Sequence, residues 1–189
     1  MSRAVIVLDA CTLYPAALRD VLMRLAVHGL VLARWTELIH DEWMAAVLRD
    51  RPDLTRGRLQ RTRELMDQYA EGSLVAGYEW RIPGLELPDE NDRHVLAAAI
   101  EAEADMILTW NLRDFPEAVL ASHGLRVATP DELLAELMGA YQAEMIGILR
   151  EARLSLKHPP LDAAEYLEIL RVQGLARTCG VLGRFLDKL

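Results

Sequence analysis

Short apolar runs alternate with amphipathic stretches along the first two thirds of the chain. The short runs have the length and apolar character of buried strands, and they lie at residues 3–8, 30–35, 74–77, 106–110 and 125–128. The stretches between them repeat apolar residues at helical spacing or carry helix-capping signals, which predicts helices at 15–28, 36–51, 55–70, 87–103 and 129–141. This alternation predicts a three-layer α/β/α domain with a central, mainly parallel sheet.

The pattern changes near residue 140. Beyond that point the apolar spacing is helical throughout, and it is broken once, by the HPP sequence at 158–160. A helical hairpin is therefore predicted over 161–188. We divide the chain into an α/β domain, residues 1–139, and a C-terminal helical extension, residues 140–189.

Composition and charge narrow the class of protein. Of the 189 residues, 52% are hydrophobic and 26% are charged, which is typical of a folded globular protein. The net charge of −8 argues against a general coat for nucleic acid and leaves contact with phosphate to a local patch. One stretch offers such a patch, or else a solvated helix face, through the arginines Arg49, Arg51, Arg56, Arg58, Arg61 and Arg63.

Two further features indicate where the protein resides. No apolar run approaches the roughly 20 residues of a spanning helix, and the N-terminus lacks the pattern of a signal peptide. Cys11 and Cys179 are far apart and lack metal-ligand spacing, which argues against a disulfide framework or a zinc site. A soluble cytoplasmic protein with reduced cysteines and no membrane partner is expected.

Acidic and amide side chains recur where the predicted elements begin or end. Asp9 ends the first strand, and Asn111 and Asp114 follow the MILTW strand by one and four residues. Because the carboxyl ends of parallel strands meet at one edge of a sheet, these positions are expected on one rim. Asp92 lies in the first turn of a helix on its apolar side, and Glu42 has apolar neighbours three and four residues away. We therefore expect Glu42 to be embedded in an apolar helical face.

Several carboxylates buried near one another are unfavourable unless a cation neutralises them. A site made of oxygen ligands, without histidine or cysteine at useful spacing, favours a hard ion such as Mg²⁺ or Mn²⁺. Such ions promote hydrolysis of phosphodiesters by activating water and stabilising the leaving oxygen. The acids therefore predict a divalent-metal site that acts on a phosphate-bearing substrate.

Each of these acids also has an ordinary structural explanation. Asp89 is placed to cap a helix, with Asp92 beside the positive end of the helix dipole. Asp9 has the place of a turn residue at a strand end.

The remaining candidates have similar alternatives. Glu42 is within sequence reach of an ion pair with Arg19 or Arg24. Asn111 and Asp114 are suited to an Asx turn or to capping a short helix. Ordinary surface or core positions, without a metal, are expected for three histidines: His40, His94 and His123.

Four segments together resemble a known family. In order and spacing, VLDACTLYP, RWTELIHDEW, LPDENDRHVLAAAI and ADMILTWNLRDFP are similar to PIN domains, nucleases that include the VapC-like toxins of type II bacterial toxin–antitoxin systems. The resemblance covers about residues 3–135. It implies that Asp9, Glu42 and Asp92 hold the metal, with Asp114 as a fourth acid.

The resemblance also suggests supporting residues. Asp89, Thr109 and Asn111 match positions beside the metal ligands or the substrate. Many relatives have an aspartate where this chain has Asn111, so the resemblance leaves open whether one or two metals bind.

The function implied by the resemblance is that of a Mg²⁺- or Mn²⁺-dependent endoribonuclease toxin, silenced by a cognate antitoxin protein and commonly homodimeric. No nucleophile arrangement of Ser, Cys or His is evident, which agrees with hydrolysis by water. One alternative is a catalytically weakened PIN-like module that binds metal or protein. Another is a phosphatase of a different α/β fold that uses Asp9 as nucleophile. The C-terminal extension has two possible roles: it packs against the domain, or it takes part in antitoxin binding or RNA positioning.

Overall fold

The computed structural model describes residues 3–157 and 159–189. Its strands are β1 (Ala4–Leu8), β2 (Val31–Arg34), β3 (Met106–Leu108) and β4 (Arg126–Ala128). Its α-helices are α1 (Ala10–Leu13), α2 (Ala16–Val27), α3 (Glu37–Asp50), α4 (Arg56–Tyr69), α5 (Arg93–Glu101), α6 (Glu117–Ala121), α7 (Pro130–Ala140), α8 (Gln142–Ser155), α9 (Ala163–Val172) and α10 (Ala176–Leu182). Short 3₁₀ helices lie at Glu79–Gly84, Glu90–Asp92, Leu112–Asp114 and Gly183–Phe185.

The strands form one parallel sheet in the order β2-β1-β3-β4. The predicted α/β fold with a parallel sheet is therefore confirmed. The chain adds β2 on one side of β1 and then adds β3 and β4 on the other side. The order of the strands therefore reverses at β1. Crevices in such sheets open beyond the carboxyl ends of the strands at this reversal. The ends of β1 and β3 are therefore the place to look for a site.

Both faces of the sheet are covered. Ile6, Val7 and Leu8 are consecutive in β1 and at most 1% exposed, although successive side chains of a strand point to opposite faces. Helix α2 packs on β2, α5 on β1 and β3, and α6 on β4. This two-sided burial explains why the strands read as continuous apolar runs. Within the two described ranges, no helix combines the length and the apolar character needed to cross a bilayer.

Three predicted boundaries differ from the observed ones. The run at 74–77 forms only a single bridge, between Leu74 and Trp35, and the chain turns away at Gly77, which has a φ of +78°. The helix predicted from residue 87 begins as the 3₁₀ turn and becomes α-helical only at Arg93. Strand β3 ends at Leu108, although the Thr109 N–H still donates to the Ala128 carbonyl, and the chain then turns, with the Asn111 N–H donating to the Thr109 hydroxyl.

The C-terminal segment is helical, as predicted. Helices α9 and α10 form the hairpin and contact each other, α10 packs on α7, and α8 packs on α2. The break predicted at 158–160 includes His158, which lies outside the described residues. The division of the chain at residue 139 remains a prediction.

One buried carboxylate fastens the hairpin to the domain. The Asp131 side chain in α7 is 7% exposed and accepts hydrogen bonds from the backbone N–H groups of Arg177 and Thr178 at 2.9 Å. It also accepts one from the Thr178 hydroxyl at 2.8 Å. Asp131 therefore satisfies the free N–H groups at the start of α10, which the preceding Leu175 has no side-chain oxygen to bind.

We expect Asp131→Asn to lower the free energy of unfolding by about 2 kcal/mol, because the amide would turn a donor toward a backbone N–H group. Urea unfolding followed by circular dichroism measures the change. Asp162→Asn is the matched control, since Asp162 caps the exposed start of α9 and asparagine caps helices equally well, so its effect should stay below about 0.5 kcal/mol. Equal losses for the two variants would contradict the assignment.

Candidate active site

Asp9 joins the ends of the two central strands. Its side chain is 6% exposed, and its Oδ2 accepts hydrogen bonds from the Thr109 hydroxyl at 2.6 Å and from the Cys11 thiol at 3.1 Å. Its backbone N–H donates to the Leu108 carbonyl at 3.0 Å, which extends the pairing of β1 with β3 by one residue. Asp9, which the sequence predicts at the end of the first strand, is thus held at the point where the order of the strands reverses.

The turn after β3 is bound to the same group of atoms. The Thr109 hydroxyl oxygen accepts from the Asn111 backbone N–H at 3.0 Å, and the Cys11 sulfur accepts from the Trp110 N–H at 3.3 Å. Burial and the neighbouring Asp9 charge raise the pKa of the Cys11 thiol to about 12. The thiol therefore stays protonated near neutral pH, so it is a hydrogen-bond donor here rather than a nucleophile.

Four of the predicted residues line one cavity of about 450 Å³: Asp9, Glu42, Asp92 and Asn111. Two others lie beside it. Asp114 lines an adjacent cleft that shares Asn111 with the cavity, and Asp89 accepts at 2.9 Å from both the backbone N–H and the side-chain amide of Asn91. Asp89 thus performs the capping role that was its ordinary explanation, although for the 3₁₀ turn rather than for α5.

Asp92 is affected by the negative charge gathered here. Partial burial, and then the charges of Asp9, Asp89 and Asp114, raise the pKa of its carboxyl to about 6. Asp89 is a neighbour in sequence, whereas Asp9 and Asp114 belong to other segments that folding brings close enough for their charges to interact with Asp92. His94 opposes the effect and lowers the pKa of Asp92.

The expectation that Glu42 is embedded in an apolar face is wrong. Its side chain is 37% exposed, and Leu38, one of its apolar neighbours, is itself 42% exposed. Helix α3 buries a different stripe, and Glu42 lies at the edge of that stripe, above the cavity. It does not pair with Arg19 or Arg24 either. Its Oε1 lies 3.0 Å from Nε2 of His94.

His94 is the residue that sequence reasoning missed. It is 5% exposed, it contacts Glu42 through Nε2, and its Nδ1 has no hydrogen-bond partner among the described residues. The sequence could have indicated this residue, because it follows Asp92 by two positions, in the first turn of α5. His40, in contrast, is an ordinary core histidine, 3.1 Å from Asp67 and accepting from the Trp43 indole at 2.9 Å.

The remaining predicted features are the Asn111 side chain and the clustered arginines. The Asn111 side chain makes no capping hydrogen bond to the 3₁₀ turn that follows it, so the Asx-turn explanation does not hold for it. Among the clustered arginines, Arg49 lines the cavity. Arg49 also pairs with Asp50 at 3.4 Å, and three others pair with nearby acids: Arg51 with Asp53, Arg61 with Glu64, and Arg63 with Glu37.

The donor set suits a hard divalent cation. Carboxylate oxygens face one cavity, their mutual repulsion is visible in the raised pKa of Asp92, and oxygen ligands of this kind prefer Mg²⁺ or Mn²⁺. Within the described residues, no three or more Asp, Glu, His or Cys side chains are already arranged to hold an ion. The carboxylate oxygens are thus suitable ligands for such an ion, but among the described residues they do not lie close enough together to hold one.

The parallel sheet and the acid-lined cavity at its carboxyl edge define an α/β protein with a candidate active site at the reversal of strand order. The PIN-domain family model matches residues 5–113, and the chain belongs to that family. The resemblance found in the sequence is thereby confirmed. A second model, described as the VapC50 C-terminal domain, matches residues 130–184.

A curated relative adds to this assignment. The chain is 30% identical over 82 residues to a Mycobacterium tuberculosis (strain ATCC 25618 / H37Rv) protein named "Putative ribonuclease VapC50". The match covers 43% of this chain and 48% of the relative, so the chain spans about half the length of the curated relative it matches. No solved structure matches the chain significantly.

We expect Asp92→Asn to raise the melting temperature of the protein in EDTA at neutral pH. The pKa of Asp92 is raised from 3.8 to about 6 in the folded state, so the folded protein loses stability as pH rises through that window. The asparagine variant escapes this loss, and its advantage should shrink as pH falls toward about 4. Thermal scans across that range measure it.

Asp41→Asn is the matched control, because Asp41 is an exposed carboxylate beside Glu42. An equal, pH-independent effect of both substitutions would count against charge repulsion at Asp92.

Proposed function

We propose that this chain is a divalent-metal-dependent endoribonuclease and the toxin of a toxin–antitoxin pair. The observation that carries the proposal is the convergence of Asp9, Glu42 and Asp92, from three separate segments, on one cavity at the carboxyl edge of the sheet. Membership of the PIN-domain family and the relative named as a ribonuclease support it.

Asp9, Glu42, Asp92 and Asp114 would hold the ion. When bound, Mg²⁺ or Mn²⁺ supplies an activated water and neutralises charge on the phosphodiester. Thr109 fixes the orientation of Asp9 through its 2.6 Å hydrogen bond. Asn111 lines the cavity with a neutral amide, and Asp89 adds negative charge near Asp92.

Hydrolysis without a covalent intermediate follows from the groups present. The Thr109 hydroxyl and the Cys11 thiol both donate to the Asp9 carboxylate, and the pKa of about 12 keeps Cys11 as a thiol. Asp92, with a pKa of about 6, is able to exchange a proton near neutral pH when the ion is absent. Binding of the ion requires this carboxyl to be ionised, so metal affinity should rise with pH through that range.

The entrance of the cavity offers a contact for a polyanion. Arg49 is exposed and lines the cavity together with Tyr14, whose hydroxyl donates to Asp50 at 3.0 Å. An arginine at the mouth of an acidic cavity attracts a phosphate that the carboxylates alone would repel. A single-stranded or looped RNA backbone meets this requirement.

The proposed partners follow from the same site. An antitoxin protein that covers the cavity would silence the enzyme, and an inserted arginine would satisfy the carboxylates in place of the metal ion. We place the protein in the cytoplasm, as a homodimer.

A second candidate is a weakened PIN-like module that binds metal or protein without cleaving RNA. Two observations favour it: Asn111 supplies an amide where an acid would strengthen the site, and the described acids are not preassembled around an ion.

We expect the purified protein to cleave labelled RNA with Mg²⁺ or Mn²⁺ and not with EDTA. Asp9→Asn, Glu42→Gln and Asp92→Asn should each reduce the rate by more than about 100-fold, because each removes a proposed ligand. Asp41→Asn should retain activity. Gel analysis of the products at several metal concentrations provides the measurement.

The two candidates predict different results in this assay. Absence of cleavage, with Mn²⁺ binding that is abolished by Asp9→Asn, would support the weakened module. Cleavage that survives all three substitutions would overturn the proposed site.

We also expect Arg49→Ala to raise KM for RNA by about two- to fivefold at low salt, with the difference shrinking as salt screens the phosphate contact. Arg58→Ala is the control, since Arg58 is exposed in α4 and does not line the cavity. Rates measured over a salt series test this, and an unchanged KM would remove Arg49 from the proposed RNA path.

A further inference from the structure

The turn between α9 and α10 reaches from the C-terminal extension to the segments that carry the active site. It contains Gln173 and Gly174, with Gly174 in the left-handed region at a φ of +94°. Gln173 contacts the start of α2, and Gly174 contacts Trp110 in the turn after β3.

Gln173 completes the start of α2. The residue before this helix is Pro15, whose side chain offers no acceptor to the first-turn N–H groups. The Gln173 Oε1 accepts from the Leu18 N–H at 3.0 Å instead. A residue 155 positions away in sequence thus caps the helix that directly follows α1.

Gly174 lies against the Trp110 ring. A Cβ atom at this position would come within 2.9 Å of Cη2 and within 3.3 Å of Cζ3 of the indole. Real Cβ atoms do not approach so closely, so any side chain at residue 174 would have to displace Trp110. Glycine is required here for this contact as well as for its positive φ.

The contact with Trp110 leads to Asp9 through short links, whereas the Gln173 hydrogen bond anchors the turn to α2. The backbone N–H of Trp110 donates to the Cys11 sulfur at 3.3 Å, and the Cys11 thiol donates to the Asp9 carboxylate. Thr109, the residue before Trp110, donates to the same carboxylate oxygen. A displacement of the Trp110 ring that also moves its backbone would therefore disturb both donors that orient the Asp9 side chain.

We propose that the Gln173–Gly174 turn is a positioning element for the active site, so that the C-terminal extension sets the orientation of Asp9 through Trp110. This inference deepens the proposed function and, as far as metal binding is concerned, rests on it. Gly174 and Gln173 act through other residues and touch no substrate. The extension would thus be required for the geometry of the site as well as for packing.

The test compares two alanine substitutions at glycines of positive φ in the full-length protein. Gly174→Ala introduces backbone strain and the clash with Trp110. Gly124→Ala introduces strain at a φ of +71° with no atom within 4 Å of the new Cβ, and Gly124 lies before β4, at the opposite edge of the sheet. Any difference between the variants therefore reports the contact with Trp110.

Two readouts follow the displacement of Trp110. The first is the rate at which iodoacetamide labels Cys11, located by peptide mass spectrometry, which should rise several-fold in Gly174→Ala because movement of the turn after β3 gives the reagent access to this partly buried thiol. The second is Mn²⁺ affinity, which should fall on the order of tenfold, as it does when groups that orient metal ligands are lost. Gly124→Ala should resemble the wild type in both.

A second substitution separates positioning from general damage. Trp110→Phe removes the ring atoms that meet the new methyl group, so adding Gly174→Ala to it should change neither readout further. Gln173→Ala removes the bond that anchors the turn to α2 and leaves the Trp110 ring in place. It should weaken Mn²⁺ binding less than Gly174→Ala does, in a protein that still folds by circular dichroism, and a larger loss would contradict the route through Trp110.

The outcomes are distinct. Equal Cys11 labelling in Gly174→Ala and Gly124→Ala would overturn the inference, as would a loss in Gly174→Ala that Trp110→Phe fails to relieve. If the wild type binds no Mn²⁺, the proposed function fails, and Cys11 labelling still decides whether the turn positions the site.

Discussion

Repulsion among carboxylates at the carboxyl edge of the sheet is the constraint around which the α/β domain is organised. Asp9 follows β1, Asp92 precedes α5 and Asp114 follows β3, and the parallel strands bring these ends to one edge. The cost is visible in Asp92, whose pKa rises to about 6 through burial and the neighbouring charges. A stable protein keeps such a group of acids only if something offsets the repulsion, and a divalent cation or a cationic partner does so most directly.

The atoms around Asp9 show how the domain holds this arrangement without an ion. Hydrogen bonds from Thr109 and Cys11 converge on one carboxylate oxygen, and the backbone bond from Asp9 to Leu108 fixes the end of β1. Glu42 is held more loosely, half exposed and in contact with buried His94. The Asp9 carboxylate is thus held by two donors, whereas Glu42 has one contact, with His94.

The C-terminal extension is joined to the domain by polar contacts as well as by packing. Asp131 binds the start of α10, Gln173 caps α2, and Gly174 lies against Trp110. Because Gly174 meets Trp110, whose backbone N–H donates to Cys11 beside Asp9, the extension and the site are physically connected. The match of residues 130–184 to the VapC50 C-terminal domain shows that this part of the chain is shared with other proteins, as is expected of a segment whose contacts matter to the domain it packs against.

The sequence by itself determined the order of strands and helices, the parallel sheet and the places of Asp9 and Asp92, because these depend on local spacing and on the rule that parallel strands end at one edge. It also placed the starts of the helices predicted at 36–51 and 129–141, which Thr36 and Thr129 cap in the structure. Tertiary structure alone decided that Glu42 is half-buried and contacts His94, that Gln173 caps α2, and that Gly174 meets Trp110. These contacts join residues far apart in the chain. Helical periodicity predicts which face of a helix is apolar, but it does not predict which residue of another segment will contact that helix.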